Sequence, residues 1–363
     1  MELMTQRGDG AGVVAVTGVA GYFGNRLLSL LDEDPSVDRV VGIDLVEPES
    51  PSPKLEFHRM DIRDARVSKA LPGVDTLVHL AFVVDPIRDE ARMRQINVEG
   101  TRNVLEAAGA TGVAKLVYTS SATVYGAHPD NELPLVESSP LRANPDYSYA
   151  WHKLETERMI EAFSEDHPEV LVTVLRPAIA FGPNVQNFMS RMLEAPRVTT
   201  VKGYEPPMQF VHEEDVASAL HFAVVNELSG VYNVAPDGWL TAEELVELSH
   251  KKRVELPEAV AFSLAERLWR AGLTEAPPGE LNFVMHPWVV DNAKLKAAGW
   301  RPAYTNEDAL AEMLEAHRPW VALGRARVRK DDLAKGAAAT LGVIGAMALV
   351  RRARKKRADL AEG

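Results

Sequence analysis

Val13-Val14-Ala15-Val16-Thr17-Gly18-Val19-Ala20-Gly21-Tyr22-Phe23-Gly24 is an apolar, β-branched run that stops at the first of three glycines spaced three apart and passes into a helical pattern. A glycine at the end of a strand permits a tight turn, the next lets backbone approach a pyrophosphate, and the third allows close packing of the helix. The N-terminus of that helix offers free N–H groups and a partial positive charge to phosphates. The following run ends Val41-Gly42-Ile43-Asp44, with Asp44 twenty residues past Gly24. A carboxylate at that strand end can accept hydrogen bonds from both adenosine ribose hydroxyls and repels a 2′-phosphate, which favours NAD over NADP.

Further β-branched runs at 55–60, 74–80, 114–119 and 170–175 alternate with helical patterns at about 22–31, 97–109 and 148–163. Repeated βα units whose strands are nearly continuous apolar stretches predict an α/β fold, a Rossmann-type doubly wound parallel sheet. After Pro177 prolines and glycines become frequent and short helical patterns interrupt the strands. The expected organisation is a flexible N-terminus at 1–12, an NAD-binding Rossmann core at 13–180, a smaller substrate-binding region at 181–320 interleaved with the core, and a tail at 321–363.

Composition narrows the chemistry. The 363 residues contain no cysteine, which excludes disulfides, thiolate zinc sites and cysteine nucleophiles and accords with a cytoplasmic setting. Residues 1–12 are polar and Gly-rich, unlike a signal peptide. Of the net charge of −12, residues 325–357 carry +9, from eleven Lys or Arg against Asp331 and Asp332, which leaves −21 on the rest. A body that acidic repels a phosphate backbone, so no nucleic acid partner is expected. No zinc-protease, nucleophile-elbow or P-loop motif occurs.

The pattern at 148–163 carries Tyr149-Ala150-Trp151-His152-Lys153, and a spacing of four puts phenol and ammonium on one helix face. Tyrosine is a poor base at its ordinary pKa of about 10. A neighbouring ammonium and an oxidised nicotinamide would stabilise the phenolate. Ser121 follows the run 114–119 in Ser120-Ser121-Ala122-Thr123-Val124-Tyr125-Gly126. A hydroxyl there could hold the substrate oxygen whose proton Tyr149 exchanges; taken alone, the segment reads equally as a Ser/Thr-rich turn. His152 falls on another helix face and reads as surface or packing, and His79 as a satisfied core histidine.

Together these segments resemble the extended short-chain dehydrogenase/reductase family, of the NAD-dependent epimerase/dehydratase type, over roughly residues 12–318. The pattern at Thr17 to Gly24 matches that family's glycine motif, which implies cofactor contacts from Gly18, Gly21, Tyr22, Phe23 and Gly24, with Asp44 on the ribose. Asp61-Ile62 resembles its adenine-contacting pair, His79-Leu80-Ala81 the strand passing under the cofactor, and Asn97 the start of a helix that braces the active site. Arg176-Pro177, Phe210-Val211-His212 with Asp215-Val216-Ala217, and Asp291 with Gly299-Trp300-Arg301-Pro302 are similar to later family segments. The resemblance implies NAD as cofactor, Tyr149 as acid/base, Lys153 on the nicotinamide ribose, Ser121 on the substrate oxygen, a small-molecule substrate and a homodimer.

Two reactions compete within that resemblance. Ser120 to Gly126 is similar to the segment of UDP-galactose 4-epimerases, which points to epimerisation or oxidoreduction of a sugar nucleotide. Ala122 and Thr123 stand where sugar 4,6-dehydratases carry an Asp-Glu pair, so dehydration is disfavoured. However, Met208-Gln209 and His286-Pro287 stand where sugar-nucleotide enzymes place arginines for the diphosphate. The apolar stretch 260–273 could line a pocket for a steroid- or lipid-like alcohol, or be ordinary core. A third reading, of another class, is an NAD-binding regulatory or assembly protein without catalysis, against which the intact Ser-Tyr-Lys set argues. The uncharged stretch 336–350, flanked by cations, reads either as a membrane-surface attachment or as a disordered or self-packing tail.

Overall fold

The computed structural model describes residues 11–331 apart from 50, 51, 86, 275, 324 and 325. Six strands come from the expected runs: β1 (Gly12–Thr17), β2 (Val37–Asp44), β3 (Leu55–Arg59), β4 (Thr76–His79), β5 (Lys115–Thr119) and β6 (Leu171–Pro177). With Gly230–Val234 they form one parallel sheet in the order Gly230–Val234, β6, β5, β4, β1, β2, β3. The seventh strand therefore comes from within the stretch 181–320.

Side chains of a strand alternate between faces, and β1 feeds two separate cores in this way. Val14 and Val16 join Leu27, Leu28 and Leu31 of the helix Tyr22–Glu33 and Leu220 and Ala223 of the helix Glu213–Val225. Ala15 joins Val104 and Leu105 of the helix Gly100–Thr111 and Ile160 and Phe163 of the helix Ser148–Asp166. Both faces of the sheet are thus covered, which is why its strands read as unbroken apolar runs. The helical pattern at 97–109 begins seven residues early: Glu90–Arg94 is α-helical and passes through a π-helical stretch Gln95–Glu99 into Gly100–Thr111.

A smaller core holds the rest. Phe181 and Phe210, from the paired strands Ile179–Phe181 and Phe210–His212, stack with ring centroids 4.1 Å apart. Met189, Leu193, Leu245, Leu310 and Met313 pack around them. The family-like segments here are structural: Asp215 Oδ1 and Oδ2 accept the backbone N–H groups of Ala303 (2.8 Å) and Tyr304 (3.1 Å), and Trp300 Nε1 donates to Ser218 Oγ at 3.0 Å.

Two expectations are corrected. The apolar stretch 260–273 is core only in part: in the helix Glu258–Ala271, Ala261 is buried with Phe262 packed beside it on Val201 and Met285, while Val260, Leu264 and, past the helix, Leu273 are exposed. The tail expected from 321 begins as folded chain, because Trp320–Leu323 and Ala326–Arg329 form an antiparallel hairpin whose Arg327 contacts Glu194 at 2.8 Å. Residues 1–10 and the stretch 336–350 lie outside the described residues. Among the described residues, no helix is long and apolar enough to cross a membrane.

One buried polar network fixes the helix Ser148–Asp166 on the sheet. Arg176, on β6, donates to the Glu157 carboxylate at 2.6, 2.9 and 3.2 Å and to the Tyr125 hydroxyl at 2.8 Å. Tyr125 in turn donates to Asn233 Oδ1 at 2.8 Å. All four side chains are buried.

Candidate active site

The sheet runs outward in both directions from the β1–β4 pair, so the connections after those strands leave on opposite sides and open a crevice at their carboxyl ends. A cavity of about 450 Å³ lies there. Its lining starts where the strands stop: Gly18 after β1, Leu80 after β4, Thr119 to Ser121 at the end of β5, and Pro177 at the end of β6. Tyr149 and Lys153 enter it from the first turns of the helix Ser148–Asp166.

Lys153 is 4% exposed. Its Nζ donates to the Thr119 carbonyl at 2.7 Å and lies 3.7 Å from the Phe82 ring centroid and 5.9 Å from that of Tyr149. Burial brings its pKa down to about 7, opposed by the Glu157 carboxylate. Burial likewise pushes the Tyr149 phenol up to about 12, while a hydrogen bond with Ser121 acts in the opposite sense. Ser121 Oγ accepts from the Thr123 N–H at 3.2 Å and from Thr123 Oγ1 at 3.0 Å. Its own hydroxyl proton is left to donate toward Tyr149 or a substrate oxygen. The three residues singled out in the sequence therefore share one cavity.

The other half of the cavity fits a dinucleotide. Gly18, Gly21, Tyr22, Phe23 and Gly24 all line it. The helix Tyr22–Glu33 has no side-chain cap and no acidic residue in its first turn, so its N–H groups are available to an anion. The buried hydroxyls of Tyr22, Thr119 and Ser120 line the same space without a hydrogen-bond partner, as expected where a polar ligand completes them. Gly18 has φ +73°, and a Cβ there would lie 2.7 Å from the Ala81 backbone nitrogen. Gly18→Ala is accordingly expected to raise the Kd for NADH at least about tenfold, roughly 1.4 kcal/mol, measured by fluorescence titration. Retained affinity would show that the loop tolerates a Cβ.

Not every expected contact reaches the cavity. Asp44 Oδ2 accepts the Ala20 N–H at 3.0 Å and Oδ1 that of Leu45 at 2.6 Å, so its charge stands against the glycine loop without lining the cavity. Leu80 lines it, whereas Ala81, Asp61, Ile62 and Asn97 do not. Asp61 is held by Arg63, and Ile62 is buried in the core. Asn97 brackets the chain after β4, accepting from the Val83 N–H at 2.7 Å and donating to the Val83 carbonyl at 3.0 Å. His79 is satisfied by Thr17 Oγ1 at 2.6 Å and Thr101 Oγ1 at 2.9 Å, and burial takes it down to about 3, a neutral core imidazole. His152 is buried packing.

Several lining residues carried no signal in the sequence, among them Phe82, Tyr147, Asn184, Glu280 and Trp288. Asn184 belongs to a bridge between the two halves of the crevice. Glu213 Oε1 accepts from Asn184 Nδ2 at 2.9 Å and from Arg26 of the glycine-loop helix at 2.5 Å. The arginine positions expected of sugar-nucleotide enzymes are otherwise employed. Gln209 holds backbone, donating to the Gly238 and Val290 carbonyls and accepting the Val290 N–H, each at 3.0–3.1 Å. Beside His286-Pro287, Trp288 lines the cavity.

A doubly wound parallel sheet with a glycine loop and a Tyr-Lys-Ser set at its switch point defines a dinucleotide-dependent enzyme. The chain belongs to the NAD dependent epimerase/dehydratase family, whose model matches residues 14–235. Its cofactor is NAD. An uncharacterized protein of Mycobacterium tuberculosis is 28% identical over 308 residues, 82% of each chain. The short-chain dehydrogenase/reductase family 42E member 1 of Danio rerio is 32% identical over 222 residues, 56% of each chain. Among solved structures, MoeE5 in complex with UDP-glucuronic acid and NAD superposes with a TM-score of 0.68 at 23% identity, covering 85% of this chain and 99% of that one.

Proposed function

We propose that the protein is an NAD-dependent dehydrogenase or reductase of a secondary alcohol whose body is uncharged and largely apolar. The observation that carries this is the joint lining of one cavity by Tyr149, Ser121, Lys153 and the glycine loop. NAD, when bound, supplies the hydride acceptor or donor. Ser121 donates to the substrate oxygen and positions it against Tyr149. Tyr149 takes the proton of that oxygen in oxidation and returns it in reduction. Lys153, fixed by the Thr119 carbonyl, stands beside the phenol and in its protonated form favours the phenolate. Cofactor contacts are assigned to Gly18, Gly21, Tyr22, Phe23, Gly24, Leu80 and Lys153, and to Asp44 at the ribose end.

The electrostatics of the lining support the substrate class. Among the described residues, the ionisable acidic and basic side chains that line it are Lys153, Asp85 and Glu280. With Lys153 assigned to the phenol, two carboxyl groups remain where a nucleoside diphosphate needs cations. Phe82, Val84, Ile179, Phe188, Phe283 and Trp288 supply apolar walls. A second reading, epimerisation or oxidation of a sugar nucleotide, is favoured by the UDP-glucuronic acid held by MoeE5. Incubation with hydroxysteroids and with UDP-sugars separates them. NADH accumulation on the steroids supports the first, while sugar interconversion without net NADH overturns it.

The direction of the pH dependence follows from the phenol. Oxidation requires Tyr149 deprotonated, and burial, offset in part by Ser121, holds it at about 12. The acid limb of kcat/KM for oxidation is expected to rise tenfold per pH unit, with a midpoint below that value because Lys153 favours phenolate. In Lys153→Met the midpoint should move up by about 1–3 units. A midpoint unmoved in the variant's pH profile would remove Lys153 from this role.

A further inference from the structure

Glu280 is 2% exposed, lines the cavity, and has one carboxylate oxygen, Oε2, without any hydrogen-bond partner. Its delivery to that point is tightly built. It stands in the 3₁₀ stretch Pro278–Val284, where a Cβ on Gly279 would come within 2.3 Å of the Asp146 carbonyl oxygen. Asn282 Nδ2 contacts Asp146 Oδ2 at 3.3 Å, and Trp288 Nε1 caps the Phe283 carbonyl at 3.0 Å. The stretch therefore lies flush on the chain that leads into the catalytic helix. Beside Glu280 stands Tyr147, whose ring centroid is 5.7 Å from that of Tyr149. The carboxyl also borders the smaller adjoining cavity, which it shares with Val84, Asp85 and Phe188.

A buried acceptor left unpaired costs about 1–3 kcal/mol, and a buried side chain that the fold does not satisfy is satisfied by what the cavity binds. We propose that Glu280 is a second polar anchor of the substrate cavity, which hydrogen-bonds an uncharged oxygen (ketone, ether or hydroxyl) carried by the substrate away from its reacting carbinol. This deepens the function proposed above and rests on it. The groups around Glu280 say in which form it acts. Burial and the Asp85 carboxylate hold its carboxyl well above the usual carboxylate range, with Arg191 and the Tyr147 hydroxyl acting in the opposite sense. A carboxyl held that way keeps its proton to higher pH, and in that form Glu280 donates through its own O–H to a neutral acceptor. An anionic substrate group gains less there, because Asp85 stands beside it.

Three measurements on the full chain with NAD test this. In an infrared difference spectrum of the unsubstituted protein minus Glu280→Gln at pH 7, the carbonyl stretch of a protonated carboxyl is expected; a carboxylate signature in its place overturns the proposal. In thermal melts Glu280→Leu is expected to match or exceed the unsubstituted protein, since an orphaned polar group is removed. A fall of several degrees makes Glu280 a fold residue and also overturns it. For turnover, the probes are a hydroxysteroid with a ketone at the far end of its ring system and the same steroid without the ketone. The preference for the keto probe in kcat/KM is expected to fall about tenfold in Glu280→Leu, through KM, and to be largely restored in Glu280→Gln, whose amide still donates. A preference unchanged by the leucine overturns the proposal. Absence of any steroid oxidation by the unsubstituted protein strikes the substrate class instead, and the infrared and melting results still decide Glu280.

Discussion

Tyr149→Phe is expected to lower turnover by about 10²- to 10⁴-fold, with NADH affinity held within about twofold. The substitution removes one oxygen from a half-buried ring that packs edge-on against Phe82 at 5.8 Å and tilted against Tyr147 at 5.7 Å. Those contacts keep the ring in place without its hydroxyl, and the glycine loop is untouched. The loss is therefore chemical rather than structural, because what is removed is the hydroxyl that meets Ser121. Steady-state assays with NADH titrated in parallel check it. Full activity in the phenylalanine variant would remove Tyr149 from the proton transfer.

Arg176→Met is expected to destabilise the protein by about 3–5 kcal/mol, because it strands a buried carboxylate. Glu157 is buried and receives three of the Arg176 contacts, and the Tyr125 hydroxyl loses a donor at the same time. Glu157 also lies one turn beyond Lys153 on the same helix. A lower midpoint in urea unfolding should thus be accompanied by weaker catalysis. The double variant Arg176→Met/Glu157→Leu should recover most of the stability, since no unpaired charge remains. Equal stability of the single variant and the parent would mean that water or a neighbour takes over the carboxylate.

Most of the sheet was legible because each strand is a contiguous apolar run, and that property follows from burial on both faces. The catalytic set was legible for a similar reason. Tyr149 and Lys153 sit four apart on one helix, and Ser121 closes a strand that the pattern already located. The glycine loop likewise encodes its geometry locally, through the φ of Gly18. What escaped depends on contacts between distant segments. Glu280 is a lone acidic residue in a Pro-Gly stretch, and only packing against Asp146 turns it into the cavity. Phe82 looks like one more apolar residue until Lys153 lies over its ring. The stretch 260–273 misled for the opposite reason: Ala261 and Phe262 pack inward while Val260 and Leu264 face out, and composition does not say which is which.

Glu213 gives the crevice a property that neither half has alone. Its carboxylate oxygen Oε1 is held from one side by Arg26 and from the other by Asn184. A displacement of the first helix by a few tenths of an ångström must stretch one of these contacts or carry the neighbouring loop along. The first helix and the loop at Asn184 are thus tied through one shared atom. Whatever factor a nucleotide contributes to the grip on a second molecule, that molecule returns to the nucleotide, since such reciprocity is a thermodynamic identity.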